Sequence, residues 1–313
     1  MKLMIDGRWR GDVDEPPPDL AAERAIHAGR FRDALPAGPL EPGRLHLFVS
    51  YACPFAHRVI LGRTLLGLED WVGMSVLDPV WNTPHGWIFG GPLGTPDGSG
   101  EGFTHLHQAY AATSACYTGK VTVPALWDRR ERRILSNQSA DILTLLNHAA
   151  SGAGGPLDLE PPDLAEDVAA LSATVRQDLA AGVYAVGGAR DQAEYDRASD
   201  RVFGCLAALE SRLADGRPWL HGDRLTVSDV LAFTPLARFD AIYNPLFRAS
   251  RRRLVDHPRL AAFAARFADL PGVGATIRMD HILRHYHDGD WGVATRRGIV
   301  PDAPEVDFRS APA

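Results

Sequence analysis

The 313-residue sequence predicts an α/β N-terminal domain followed by an all-α C-terminal domain. Three observations carry that prediction. A strand-like run, Leu45-His46-Leu47-Phe48-Val49, passes through Cys53-Pro54 into a helical period at Val59, Ile60, Leu61, Leu65, Leu66 and Leu68. A second group of strand signals, leading into Trp127 and then at Ile134-Leu135, follows a long irregular stretch. Beyond the linker composition of Ser151-Gly152-Ala153-Gly154-Gly155-Pro156 and Glu160-Pro161-Pro162, every periodic segment is helical.

Taken in order, residues 1–40 read as an N-terminal extension, because Glu15-Pro16-Pro17-Pro18-Asp19 excludes regular structure. The first domain spans 41–150. Trp71 to Leu77 is its second strand. Residues 78–117 form an insertion whose Gly- and Pro-rich part, Asp78 to Gly102, is too long for a simple connection. Its large aromatics, Trp81, Trp87 and Phe89, fold over either the protein's own core or a ligand. Phe103 to Thr113 is a short helix. Lys120-Val121-Thr122-Val123-Pro124 then enters a strand, where a proline is tolerated and often cis. Charged turn residues Asp128 to Glu131 precede Ile134-Leu135, and Asn137 to Asp141 opens a helix whose start suits an anionic group. After a linker at 151–163, the helical domain with its C-terminal tail covers 164–313. Its helical periods run over Leu164–Val186, Glu194–Ala214, Val227–Asp240, Pro258–Ala268 and Gly274–Arg284. Thr226 and Asp229 have the spacing of a capping box, with Leu225 and Val230 placed as its hydrophobic staple.

Composition excludes several classes of function. The chain is 45% hydrophobic and 23% charged, as in ordinary globular proteins. A net charge of −6 gives no footprint for nucleic acid or an anionic membrane. No apolar run approaches the roughly 20 residues that span a bilayer, and the N-terminus lacks the apolar core of a signal peptide. Three widely spaced cysteines, Cys53, Cys116 and Cys205, make a poor disulfide framework and suit a reducing cytoplasm. Lys2 and Lys120 are the only lysines, a bias that points to a high-GC genome.

A free cysteine is most often a small buried hydrophobe. Position sets Cys53 apart. It lies at a strand-to-helix junction with proline at the first helical turn, so unpaired N–H groups and the helix dipole favour its thiolate. Its pKa is therefore expected below the free value of about 8.5. Cysteine and proline at a helix start after a strand is the layout of thioredoxin-like redox sites, and Val123-Pro124 matches the cis-proline loop that faces the cysteine there. Ala56 occupies the position a second cysteine would take, so any mixed disulfide must be resolved by an outside thiol. His57, a helical turn from Cys53, is expected beside the sulfur rather than above it, in a packed or surface role. His281, His285 and His287 include an i, i+4 pair, but no carboxylate or cysteine cluster completes a metal site, and no metal is expected. Cys116 and Cys205 read as structural, and Arg251-Arg252-Arg253 as a solvated face.

Across both domains the sequence resembles the glutathionyl-hydroquinone reductases, the Xi class of the glutathione transferase superfamily. The resemblance runs from about Arg44 to Pro301. It is carried by Ser50-Tyr51-Ala52-Cys53-Pro54 through His57-Arg58, by Gly86-Trp87-Ile88-Phe89, by Gly119 to Asp128 and by Ser136 to Ser139. Gly182-Val183-Tyr184, Arg238 to Tyr243, Asp280-His281 to Tyr286 and Gly298 to Pro301 complete it. It implies the glutathione transferase architecture, a thioredoxin-like domain followed by an all-helical one, and a homodimer.

Carried over residue by residue, the resemblance makes Cys53 the nucleophile that attacks the sulfur of a thiol-conjugated hydroquinone. Tyr184 resembles the residue that protonates the aromatic carbon. Tyr243 and Tyr286 look like phenols that hydrogen-bond the cysteine, which stabilises a thiolate. A glutathione then resolves the Cys53 mixed disulfide, giving oxidised glutathione. The thiol tripeptide lies on Trp87, on Lys120, Val121, Thr122 and Val123, and on Gln138 and Ser139, with Ser139 holding the γ-glutamyl carboxylate.

Three positions depart from the family pattern. Phe55 replaces the tryptophan usual after Cys-Pro. Lys120 replaces an arginine and loses its planar fork. Gln138 replaces the glutamate that pairs with the γ-glutamyl amine, keeping an acceptor but losing charge assistance. Glutathione is the thiol expected, with mycothiol, which lacks that amine, as the alternative. Other readings are an Omega-like thiol transferase or dehydroascorbate-type reductase, and a non-catalytic ligand- or partner-binding module. An activated thiol favours the enzymes.

Overall fold

The computed structural model describes residues 2–11, 41–81, 84–152, 155, 157–288 and 299–302. These residues form two compact units, one drawn from Met1–Pro156 with Arg278–Val300 and the other from Leu157–Ile277 with Pro301–Ala313.

The first unit begins with an antiparallel hairpin, β1 (Leu3–Ile5) and β2 (Arg8–Arg10). Asp6 and Gly7 turn it with φ of 48° and 73°, the conformation that Asp-Gly favours in a two-residue hairpin loop. Leu3 and Met4 are fully buried, and Met4 exchanges backbone hydrogen bonds of 2.8 and 2.9 Å with Gly119. The expectation that residues 1–40 are an extension is thus corrected for residues 2–11. The reason is local: Asp6-Gly7 directly after the apolar run Leu3-Met4-Ile5 is a hairpin signal, and the prolines that dominate the composition follow it. Glu15 to Asp19 lies outside the described residues.

The main sheet contains β3 (Leu45–Val49), β4 (Val72–Val76), β5 (Ala125–Asp128) and β6 (Arg133–Ser136), in the order β4-β3-β5-β6. β3 pairs parallel with β4 and antiparallel with β5, and every residue of β3 is buried, as expected of a central strand. Helices α1 (Pro54–Leu65), α2 (Leu106–Thr113) and α3 (Ser139–Gly152) complete this part. α1 and α3 pack against one another, and a Cβ at Gly62 would come within 2.3 Å of Leu143 Cδ1. The 128–131 turn is closed by buried Asp128, which accepts from the backbone N–H of Arg130 and Glu131 at 2.8 and 3.1 Å. Its other oxygen takes two hydrogen bonds from Arg44, at 2.9 and 2.7 Å.

The insertion is fastened to this sheet. Phe89 and Phe103 meet Phe48 edge-on, with ring centres 5.3 and 6.4 Å apart. His46 donates through Nε2 to Ser75 Oγ at 2.7 Å, since its Nδ1 accepts from Arg129 at 3.0 Å and an arginine has only donors. The same serine oxygen accepts from Gly98 N–H at 2.8 Å. Burial and the neighbouring Arg129 push the His46 pKa down to about 4, so the ring is neutral.

The second unit is helical: α4 (Ala165–Thr174), α5 (Gly182–Gly188), α6 (Gln192–Arg212), α7 (Val227–Arg238) and α8 (Pro258–Ala268). The helical period over Leu164–Val186 is interrupted by a wide turn at Val175–Ala180, and a second one, Phe239–Tyr243, extends α7. The first inserts a residue while keeping buried Val175 and Leu179 at helical spacing, so the pattern alone reads as continuous. α7 is buried on every side. Its capping box forms as expected: Asp229 accepts from Thr226 N at 2.8 Å and from Leu220 N at 2.8 Å. Burial pushes the Asp229 pKa up to about 6.

The period over Gly274–Arg284 also divides. Gly274–Thr276 is a tight turn, Ile277 leaves the helical region at φ −85°, ψ 84°, and α9 (Met279–Asp288) follows. The sequence groups this helix with residues 164–313, yet it clusters with the first unit. Its side chains explain why. Tyr51 packs against His281 with ring centres 5.5 Å apart and lies 5.8 Å from the Arg278 guanidinium, and His285 Nδ1 donates to Pro79 O at 2.8 Å.

Candidate active site

Cys53 is the N-cap of α1, with φ −77° and ψ 121°, and Pro54 follows as the first helical residue. Its carbonyl accepts the first helical bond from His57 N at 2.9 Å, while its own N–H closes a turn onto Ser50 O at 3.2 Å. The side chain makes no capping hydrogen bond and is half-buried. The thiol points at the Val123 carbonyl, 3.6 Å away, and the Val123-Pro124 peptide is cis. The residues that the sequence placed across from one another are therefore together. His57 is fully buried in α1.

The start of α3, where the sequence places the expected anion site, is built from β6 and α1. Gln138 N–H donates to Ser136 Oγ at 3.0 Å, and Ile142 N–H donates to Gln138 O at 3.0 Å to start the helix. Ser139 is buried, and its Oγ accepts from Arg58 Nη1 at 3.4 Å. Arg58 is itself 2% exposed, with its guanidinium 4.7 Å from the centre of the Phe55 ring. Sequence reasoning used Arg58 only as part of a motif. An arginine directly before the apolar run Val59-Ile60-Leu61 was the available signal, since a buried cation requires a partner. Tyr110 of α2 was missed altogether. Fully buried, it donates from its hydroxyl to Thr122 O at 2.8 Å and accepts from Asn137 Nδ2 at 3.2 Å, joining the Lys120–Val123 segment to the start of α3.

Trp87 is 6% exposed and belongs to a cluster of three mutually packed rings, in which Trp81 and His285 also lie 6.3 Å from each other. Trp81 lies 5.5 Å away at 17°, and His285 of α9 lies 5.6 Å away at 9°. Lys2 Nζ sits 4.8 Å from the Trp81 ring centre and donates to Trp81 O at 2.6 Å. The insertion's aromatics thus divide: Phe89 belongs to the core, while Trp81 and Trp87 form a stack with α9. Lys120 is exposed, and its carbonyl accepts from the Tyr117 hydroxyl at 2.8 Å. Val121 and Val123 are buried and Thr122 is half-buried. Tyr286, fully buried in α9, meets His285 edge-on at 5.1 Å.

Tyr184 and Tyr243 belong to the second unit. Their rings meet at 5.9 Å, and both pack on Phe247 at 5.4 Å, so the tyrosines at α5 and at the wide turn after α7 form one aromatic cluster. Tyr184 is half-buried and Tyr243 fully buried.

The other thiols differ in setting. Cys116 is exposed; Cys205 is buried, and burial with nearby Asp178 pushes its pKa up to about 12. Among the described residues, no three His, Cys, Asp or Glu side chains are grouped to hold a metal ion.

This geometry can be set against known proteins. The family model of the glutathione S-transferase C-terminal domain matches residues 192–266. Over 97% of this chain and 96% of the relative, the sequence is 39% identical to the glutathionyl-hydroquinone reductase PcpF of Sphingobium chlorophenolicum. The chain belongs to the glutathionyl-hydroquinone reductases, the Xi class of glutathione transferases. The glutathionyl-hydroquinone reductase YqjG of Escherichia coli is 35% identical over 91% of this chain and 90% of its own. Among solved structures, the Xi-class transferase of Natrialba magadii superposes with a TM-score of 0.89 at 35% identity, covering 100% of this chain and 96% of that one. In this Xi-class member the thioredoxin-like part followed by a helical part is the expected architecture, and the Cys53–Val123 pair and the Gln138-Ser139 helix start both lie in the first unit.

Proposed function

We propose that the protein is a glutathione-dependent reductase that removes the thiol adduct from glutathionyl-hydroquinones, working through Cys53. One observation carries the residue assignment. A half-buried cysteine caps a helix with proline at its first position and faces the Val123 carbonyl at 3.6 Å, with Ala56 where a resolving cysteine would stand. The names of the two full-length relatives supply the substrate class.

In the first step the Cys53 thiolate attacks the sulfur of the conjugate. A Cys53–glutathione disulfide forms, the carbon–sulfur bond breaks, and its electron pair stays on the ring carbon. Tyr184 gives that carbon a proton and the hydroquinone leaves. The thiolate of a second glutathione then attacks the mixed disulfide, releasing oxidised glutathione and the Cys53 thiolate. Overall, the thioether sulfur of the conjugate and the sulfur of one glutathione thiol become one disulfide, and those two electrons reduce the ring carbon from C–S to C–H. In this scheme Tyr243 and Tyr286 donate hydrogen bonds to the Cys53 sulfur, and Trp87, Lys120, Val121, Thr122, Val123, Gln138 and Ser139 hold glutathione. Arg58 behind Ser139 supports an anion at that helix start. A homodimer in the cytoplasm belongs to the same reading; all three cysteines are free, as a reducing compartment keeps them. Among the described residues, no helix is long and apolar enough to cross a membrane.

The test is steady-state turnover of glutathionyl-menadiol with glutathione. Hydroquinone and oxidised glutathione are expected in equal amounts, with no product from Cys53→Ala. Turnover of disulfides but not of the thioether would replace this reading with that of a thiol transferase.

A further inference from the structure

We infer that Tyr110 is a positioning residue for the thiol: through Asn137 it fixes the Gln138 carboxamide with the oxygen as its unused end, which selects a thiol bearing an ammonium group. The inference rests on the proposed placement of the γ-glutamyl group at Gln138-Ser139.

Taken alone, a carboxamide's oxygen and nitrogen ends are interchangeable. Here the backbone breaks the tie. Thr122 C=O only accepts, and the Tyr110 hydroxyl, 2.8 Å away, gives it its single proton. Thr122 N–H only donates, and it points at the same hydroxyl oxygen from 3.2 Å. The contact from that hydroxyl to Thr122 Oγ1 is longer, at 3.3 Å. With the hydroxyl proton committed, Asn137 at 3.2 Å has to present its NH2 end, which also reaches Thr122 Oγ1 at 3.4 Å. Asn137 Oδ1 is then turned toward Gln138 and accepts from Nε2 at 3.2 Å. That leaves Gln138 Oε1, which takes no hydrogen bond among the described residues.

Tyr110 is fully buried and Asn137 is 7% exposed, so water does not scramble the relay. Burial also pushes the Tyr110 pKa up, which keeps the proton on the phenol. The chemistry follows from the unused end. A carbonyl oxygen at the first turn of α3, next to Ser139, accepts from an ammonium and offers nothing to a ligand that lacks a donor there. A glutamate at this position could not donate to Asn137 Oδ1. The relay is matched to the amide.

The experiment measures binding of glutathione and of its des-amino analogue, glutaryl-cysteinyl-glycine, by calorimetry. The proteins are the wild type, Tyr110→Phe and Asn137→Ala, the last cutting the relay one link nearer should Tyr110→Phe fail to fold. In both variants the Kd for glutathione is expected to rise about 3- to 10-fold, the effect of one hydrogen bond losing its orientation. The Kd for the des-amino thiol is expected to stay the same in all three proteins. A purely structural role would weaken both thiols together. Equal weakening, or none, overturns the positioning role while leaving the glutathione reading intact. Failure of the wild type to bind glutathione overturns the reading of the site and this inference with it.

Discussion

Cys53 Sγ lies 3.6 Å from the carbonyl oxygen of Val123, where the helix-capping cysteine meets the cis-proline loop. The contact joins two segments 70 residues apart, and it leaves the sulfur at the end of α1 rather than inside the core. A nucleophile needs that placement more than stability does. Cys53→Ser should therefore lower thioether turnover at least about a thousand-fold, because a hydroxyl without a general base is not an activated nucleophile. The thermal midpoint should stay within a few degrees, since the substitution leaves no cavity. Kinetics and melting measured on one preparation check both halves.

The cysteines should separate by reactivity. Cys205 is buried with its pKa pushed up to about 12, so iodoacetamide at pH 8 should leave it unmodified until the protein is denatured. Cys53 should be alkylated with a pH midpoint below the ordinary thiol value of about 8.5, as the proposed thiolate requires. Peptide mapping after timed alkylation reads both, with exposed Cys116 as the internal control. A Cys53 midpoint at or above the ordinary value would remove the argument for activation.

Trp87 should matter for folding as well as for the ligand. It is 6% exposed and packed against both Trp81 and His285, so Trp87→Ala should cost about 3–5 kcal/mol, the range for emptying an aromatic site. Trp87→Phe should cost clearly less. Urea unfolding midpoints for the three proteins test this, and a loss of glutathione binding without loss of stability would show that the stack is dispensable to the fold.

Stability should fall between pH 6.5 and 4 in part through His46. Its pKa is lowered from 6.5 to about 4 in the fold, so over that window the unfolded chain binds a proton that the folded protein refuses. The contribution is complete above pH 6.5 and is lost as pH falls toward 4, with a ceiling of about 3 kcal/mol. His46→Gln keeps a donor for Ser75 and an acceptor for Arg129 but does not titrate. The variant should show a shallower pH dependence in denaturant titrations at pH 7, 5.5 and 4.5.

Much of this architecture was legible in the sequence for stated physical reasons. β3, the Cys53-Pro54 helix start and α8 carry strong local signals, and Thr226 and Asp229 announce their own cap. What escaped, apart from the locally signalled Asp6-Gly7 hairpin, is what local patterns do not encode. The Asp6-Gly7 hairpin was masked by the proline-rich composition that follows it. The wide turn at Val175 keeps its buried residues Val175 and Leu179 at helical spacing, and α7, buried on every side, has no stripe whose break would mark the turn at Phe239. The grouping of α9 with the first unit depends on Tyr51, Trp87 and Pro79, all about two hundred residues or more from it in sequence. The candidate site follows the same rule. Cys53 stood out by its position, whereas Tyr110 and Arg58 act through partners that only the fold brings near.

The most direct measurement is a single turnover without free glutathione, mixing the enzyme with an excess of glutathionyl-menadiol and following it by mass spectrometry. One equivalent of menadiol per active site should be released, with glutathione attached to Cys53 and removed on adding glutathione. Release of menadiol without an adduct, an adduct at Cys116 instead, or undiminished release by Cys53→Ala would contradict the mixed-disulfide mechanism.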